Sequence, residues 1–190
     1  MNTNILLSGV GGQGILTIGA VFGMAAMLNN YHIKQAETHG MSQRGGEVVS
    51  HVRISDKPIY SDLIPHATAD IILSVEPLES LRYLHFLKPN GWLITNDTPF
   101  RNIVAYPTQD VVFEAIKTVK NNRIVAADTL AKSLGNLKTS NIIMLGVASN
   151  YIELPYETLQ QGIIEIFKKK GDKVVALNLK ALDLGRESIL

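Results

Sequence analysis

The chain opens on a nearly continuous apolar run, Asn4 to Val10, of the kind produced by a strand buried on both faces. Glycines at positions 9, 11, 12 and 14 interrupt it, and Ile15 to Asn29 then continues as an apolar segment of helical length. Tyr31 to Glu37 reads as a second strand, Thr38 to Gly46 as a loop, and the alternation in Glu47 to Ile54 as a third strand. Asp56, Lys57 and Pro58 mark a turn into a short strand, Ile59 to Ser61, which puts an antiparallel portion into the sheet.

Asp70 to Val75 is again apolar enough for a buried strand, and Pro77 just beyond it is placed to open a helix reaching Leu87. Gly91 to Asn96 returns as a strand. Gln109 to Lys120 carries Val112, Ala115, Ile116 and Val119 at helical spacing, and Arg123 to Ala126 follows as a further strand. From Asp128 the pattern turns helical: Asp128 to Leu134, Ser140 to Ile152, Pro155 to Lys170 and Lys173 to Ser188. Strand and helix alternate before that point, so the expected fold is α/β: a three-layer Rossmann-like domain with a mostly parallel, partly mixed sheet and a helical C-terminal region. No repeat, low-complexity stretch or linker divides the chain, and residues 1–190 read as a single domain.

Charged residues make up 18% of the 190 positions, against about a quarter in ordinary soluble domains. No charged side chain precedes Lys34, and none lies between Lys138 and Glu153. Either both segments are central core helices, or part of each faces another protein. The net charge of +1 provides no field for a duplex, so nucleic acid is not an expected partner. Zero cysteines exclude disulfides, catalytic thiols, thiolate zinc sites and cysteine-ligated iron–sulfur clusters from this polypeptide. The N-terminus lacks a basic signal region and Ile15 to Leu28 is too short to span a bilayer, so the expected location is the cytoplasm, with no membrane partner.

Gly9, Gly11 and Gly14 match G-x-G-x-x-G between a strand and a helix, where small residues let backbone N–H groups approach a phosphate. Glu37 lies near the distance at which an acid could hold an adenine ribose, and the alternative is a tight turn that only packs the first helix. The second loop contains Thr38, His39, Gly40, Met41, Ser42, Gln43, Arg44, Gly45 and Gly46, and should line the same crevice. Arg44 would offer a planar fork to phosphate or carboxylate, with Ser42 and Gln43 as neutral donors; the plainer reading is an arginine paired on the surface. Glu37, His39 and Ser42 lack the nucleophile elbow of a hydrolase, and His32, His51, His66 and His85 lack metal-ligand spacing. Gly19 and Gly23 seat a helix on its sheet, and Tyr83, His85 and Phe86 are read as buried. No catalytic or metal-binding residue is assigned.

Gly9 to Ile15 together with Thr38 to Gly46 resembles the gamma domain of 2-oxoacid:ferredoxin oxidoreductases. The Met-Ser-Gln-Arg version, with Leu63 to Pro65, Glu76 to Arg82, Asn141 to Ala148 and Asn178 to Gly185, is most similar to the indolepyruvate branch, and no Gly-Pro-Glu sequence precedes the Arg-Gly-Gly. The resemblance implies a small subunit that binds Gly9, Gly11, Gly12, Gln13, Gly14, Thr38, His39, Ser42, Gln43, Arg44, Gly45 and Gly46 to a ligand, with coenzyme A possible there. It implies a large partner chain that carries thiamine diphosphate and the iron–sulfur clusters, acts on a 2-oxo acid and passes electrons to ferredoxin. Two other functions fit the residues: a stand-alone NAD(P)-dependent Rossmann dehydrogenase with Glu37 on the ribose, and a binding module with no redox role.

Overall fold

The computed structural model describes residues 1–40, 45–101, 103 and 105–188. Six strands, β1 (Asn2–Val10), β2 (His32–His39), β3 (Glu47–Ser55), β4 (Ala69–Ser74), β5 (Leu87–Asn96) and β6 (Asn122–Val125), form one sheet in the order β2-β3-β1-β4-β5-β6. β1, β4, β5 and β6 are parallel, whereas β3 runs antiparallel to both β1 and β2. β2 therefore points the same way as β1, and the loops that follow both leave the same sheet edge.

The two faces of β1 feed different cores. Ile5 and Leu7 pack with α1 (Ile15–Leu28), α4 (Ala127–Ser133), α5 (Ser140–Ala148), α6 (Tyr156–Phe167) and α7 (Asp172–Glu187). Leu6 packs on the opposite face with α2 (Pro77–Arg82) and α3 (Gln109–Lys117). Burial on both sides explains why β1 reads as a continuous apolar run. The two uncharged segments differ in fate: every residue of α5 from Asn141 to Ala148 is buried, while α1 leaves Leu16, Met27 and Leu28 exposed at its ends.

Several expected boundaries move, each for a tertiary reason. Residues 59–61 form no strand, because the Arg53 guanidinium takes the carbonyls of Ser61 and Leu63 at 3.0 and 3.2 Å and gives those acceptors a partner without a ladder. The antiparallel portion comes from β3 instead. The helix expected to reach Leu87 stops at Arg82 and is followed by a 3-10 turn, Leu84–Phe86; the His85 carbonyl accepts the Ala67 N–H at 3.0 Å, and Leu87 pairs with Ala69 in the sheet. β5 accordingly starts four residues before the expected Gly91. α5 ends at Ala148 rather than Ile152, where Ser149 Oγ and Asn150 Nδ2 donate to the Gly146 and Val147 carbonyls. α6 ends at Phe167, with Lys168–Lys170 as a 3-10 turn, and α3 ends at Lys117.

α5 and α7 cross at van der Waals contact between backbones. A Cβ added to Gly185 would lie 2.1 Å from the Ile143 carbonyl oxygen, and one on Gly146 would lie 2.2 Å from that of Leu182. Neither clash can be relieved by rotating a side chain. Gly185→Ala is expected to cost about 3 kcal/mol, the upper part of the usual overpacking range, read as a lowered denaturant midpoint. An unchanged midpoint would show that the helices are not in backbone contact.

Candidate functional site

The turn after β1 and the loop after β2 are joined by a backbone hydrogen bond: Gly11 N–H donates to the Gly46 carbonyl at 2.9 Å. The last residue of β1, Val10, pairs with the first of β3, Glu47, and Gly40 N–H donates to the Glu47 carbonyl at 3.2 Å. Gln13 organises the other side. Its Oε1 accepts the Val10 N–H at 2.7 Å, and its Nε2 donates to the carbonyl of Val75, just past β4, at 3.4 Å. The connection from β1 leads to β2 and that from β4 leads to β5 on the other side, so Gln13 stitches the topological switch point of the sheet.

Gly14 must be glycine. Its φ is +83°, and an added Cβ would lie 2.4 Å from Asn141 Nδ2, which donates to the Gly14 carbonyl at 3.1 Å. Thr17 and Ile18 N–H groups turn back to that same carbonyl. Among the described residues, the N–H groups of Gly12, Gly14, Ile15 and Leu16 have no partner. They lie at the positive end of α1, which makes this turn an anion site in waiting.

Cavities open on both sides of the turn. One of about 490 Å³ runs from Gly11, Gly12 and Gly14 along the start of α1 to Glu37 and His39. The other, about 840 Å³, shares Gly12, Gly14 and Thr17 with the first, adds Gln13, and extends over Val75 and Asn96 to α5 and α7.

A buried acidic network braces the returning stem of the second loop. Glu76 caps α2 by accepting the Glu79 N–H at 2.8 Å, and also accepts the Phe100 N–H and the Tyr106 hydroxyl. Arg82 Nε reaches Glu79 at 2.9 Å and Glu47, the residue after Gly46, at 3.2 Å. Burial raises the Glu79 carboxyl above its ordinary range, with Arg82 opposing the shift. Burial, reinforced by Glu47 and Glu79, pushes the Tyr83 hydroxyl up to about 12.

The structure brings Gly11, Gly12, Gln13, Gly14, His39 and Gly46 to this edge of the sheet. Gly9 lies within β1, paired with Val48, and does not belong to the turn. Thr38 is a strand residue paired with Val49 and lines a separate cavity of about 300 Å³ with Glu47, His51 and Tyr83. Ser42, Gln43 and Arg44 lie outside the described residues, and Gly45 leads into the Gly46 stem.

Residues 4–188 match the family described as pyruvate ferredoxin/flavodoxin oxidoreductase. The chain belongs to that family. Among relatives, it is 36% identical to the indolepyruvate oxidoreductase subunit IorB of Pyrococcus horikoshii, over 96% of this chain and 93% of that one. It is 37% identical to the IorB subunit of Archaeoglobus fulgidus, over 97% and 94% of the two chains. A solved 2-oxoglutarate:ferredoxin oxidoreductase from Magnetococcus marinus, with 2-oxoglutarate, coenzyme A and succinyl-CoA bound, has the same fold. Its TM-score is 0.77 at 22% identity, covering 97% of this chain and 30% of that one.

In this member of the oxidoreductase family, sequence reasoning stopped the site at Gly46 and missed the wall of the larger cavity. Asn96 ends β5 and Asp128 lies in the first turn of α4 after β6, at the carboxyl edge of a doubly wound sheet where ligands bind by rule, and that rule was the signal available for them. Asn141 contacts Gly14 across 127 residues, with no local pattern to announce it. Gln13→Ala removes the acceptor of the buried Val10 N–H and is expected to cost about 1–3 kcal/mol in a denaturant titration. Wild-type stability in that variant would mean the side chain faces ligand instead of bracing the turn.

Proposed function

We propose that this chain is the small subunit of an indolepyruvate-type 2-oxoacid:ferredoxin oxidoreductase. The observation that carries the reading is its 36–37% identity, over nearly the whole of both chains, to separate subunits named for that enzyme. The chain has no cysteine, so cysteine-ligated clusters belong on another polypeptide, and ferredoxin would be reached through that polypeptide. In the reaction proposed, a 2-oxo acid, coenzyme A and two oxidised ferredoxins yield acyl-coenzyme A, carbon dioxide, a proton and two reduced ferredoxins. Thiamine diphosphate on the large chain would supply the carbanion chemistry of decarboxylation.

This subunit would bind and orient. The unpartnered N–H groups of Gly12, Gly14, Ile15 and Leu16 suit a phosphate group such as those of coenzyme A, and the relative solved with that molecule bound shares the fold. Ser42, Gln43 and Arg44 remain proposed donors, because the loop that carries them starts and ends beside the glycine turn. No helix among the described residues is long and apolar enough to cross a membrane, and a cytoplasmic location is part of the proposal.

The strand order weakens the dehydrogenase alternative. β3 stands between β1 and β2, so Glu37 is two strand spacings, about 10 Å, from the β1 axis, where the dinucleotide fold has an acid on the adjacent strand.

Viologen reduction by indolepyruvate, dependent on coenzyme A, tests the proposal. The purified chain is expected to be inert, and addition of a thiamine- and cluster-bearing large chain is expected to restore turnover with aryl pyruvates favoured over pyruvate. Turnover by this chain alone, or a preference for pyruvate, would refute it.

A further inference from the structure

The strand-edge cavity, about 490 Å³, contains an acceptor for which the chain supplies no donor. Gln35, Glu37 and His39 alternate onto the face of β2 that α1 covers, as the period of two along a strand requires. Gln35 packs on α1 at Gly19, where an added Cβ would lie 2.6 Å from its Nε2, and that Nε2 donates to Ser50 Oγ at 3.1 Å. Glu37, two residues nearer the carboxyl edge of the sheet, has no such arrangement. Its Oε1 is 3.5 Å from Nδ1 of His39, a mostly exposed ring. Its Oε2 is buried and has no hydrogen-bond partner among the described residues. A buried polar atom has already lost its water, so a ligand that brings a donor to it is favoured over one that does not.

The wall around this oxygen is largely apolar. Val10, Ile15 and Val48 line the cavity and are themselves buried, while Leu16 lines it with 57% of its surface exposed. A phosphate placed against Glu37 would meet a like charge. The group that fits is flat and apolar, carries one donor and has no ring acceptor of its own. An indole has that composition, because its nitrogen donates an N–H and accepts nothing. A phenyl ring would fill the same space and leave Oε2 without a donor.

The geometry points to Glu37 as a specificity-determining residue: its Oε2 accepts the indole N–H of the 2-oxo acid side chain, with Val10, Ile15, Leu16 and Val48 against the ring. The inference rests on the reading of this chain as a subunit of an indolepyruvate-type enzyme. It places the side chain of the substrate in this subunit while the 2-oxo acid end reacts on the large chain.

The test uses enzyme assembled from this chain and its large subunit, with indolepyruvate, the analogue methylated at the indole nitrogen, and phenylpyruvate as substrates. Wild-type enzyme should prefer indolepyruvate to the methylated analogue by about tenfold to a hundredfold in kcat/KM. Glu37→Leu should bring that ratio, and the ratio of indolepyruvate to phenylpyruvate, close to one. Glu37→Gln, which keeps an oxygen acceptor, should retain most of the preference. Calorimetry with the unreactive indolelactate should show binding weakened by about tenfold or more in Glu37→Leu. Should the leucine variant not assemble, Glu37→Ala answers the same question. Damage to the fold alone would slow all three substrates alike and leave the ratios unmoved. A wild-type enzyme indifferent to the methyl group, or ratios that persist in Glu37→Leu and Glu37→Ala, would overturn the inference alone. An assembled wild-type enzyme that does not oxidise indolepyruvate would overturn the functional reading with it.

Discussion

A single hydrogen bond, from Gly11 N–H to the Gly46 carbonyl, closes two chain segments into one structure. It is possible because β3 is antiparallel to both of its neighbours, so that the exit of β1, the exit of β2 and the entry of β3 fall on one sheet edge. The other contacts of the site depend on that junction. Gln13 extends it to the end of β4, and Arg82 holds it from the α2 side through Glu47. With those positions set by neighbouring groups, the N–H groups of Gly12, Gly14, Ile15 and Leu16 are left without partners among the described residues, while that of Gln13 is taken by the Val10 carbonyl. Preorganised donors of this kind need no rearrangement when an anion arrives.

The same geometry explains how a chain with no cysteine fits a redox enzyme. Its contribution is a set of backbone donors held at one sheet edge, and without cysteine it carries no cysteine-ligated cluster of its own. Exposed apolar side chains at this edge, Leu16 beside the turn and Leu137 beside the larger cavity, are consistent with a surface completed by another subunit.

Much of the fold was legible from local pattern. The strand–glycine–helix succession of β1 and α1 is visible because burial on both faces and the Gly14 conformation each leave a sequence mark. The failures share one cause. Residues 59–61 look like a strand by composition, but Arg53 satisfies their surroundings from another strand. The long helix expected after Pro77 is cut short by a bond from Ala67. The wall of the larger cavity was hidden in the same way: Asn141, Lys170 and Asn178 line it from more than a hundred residues beyond the turn, through helix packing with no periodic signature, and the stretches that begin at Asn141 and Asn178 stood out by resemblance alone. The Glu76 to Arg82 stretch stood out by resemblance, and the structure supplies its reason, since Glu76 caps α2 and Arg82 braces the loop stem.

Amide hydrogen exchange in the assembled enzyme, with and without coenzyme A, tests the central claim most directly. The account predicts that exchange slows at Gly12, Gly14, Ile15 and Leu16, while Gly11, already bonded to Gly46, changes little. Unchanged exchange at those four positions in the presence of saturating coenzyme A would contradict it.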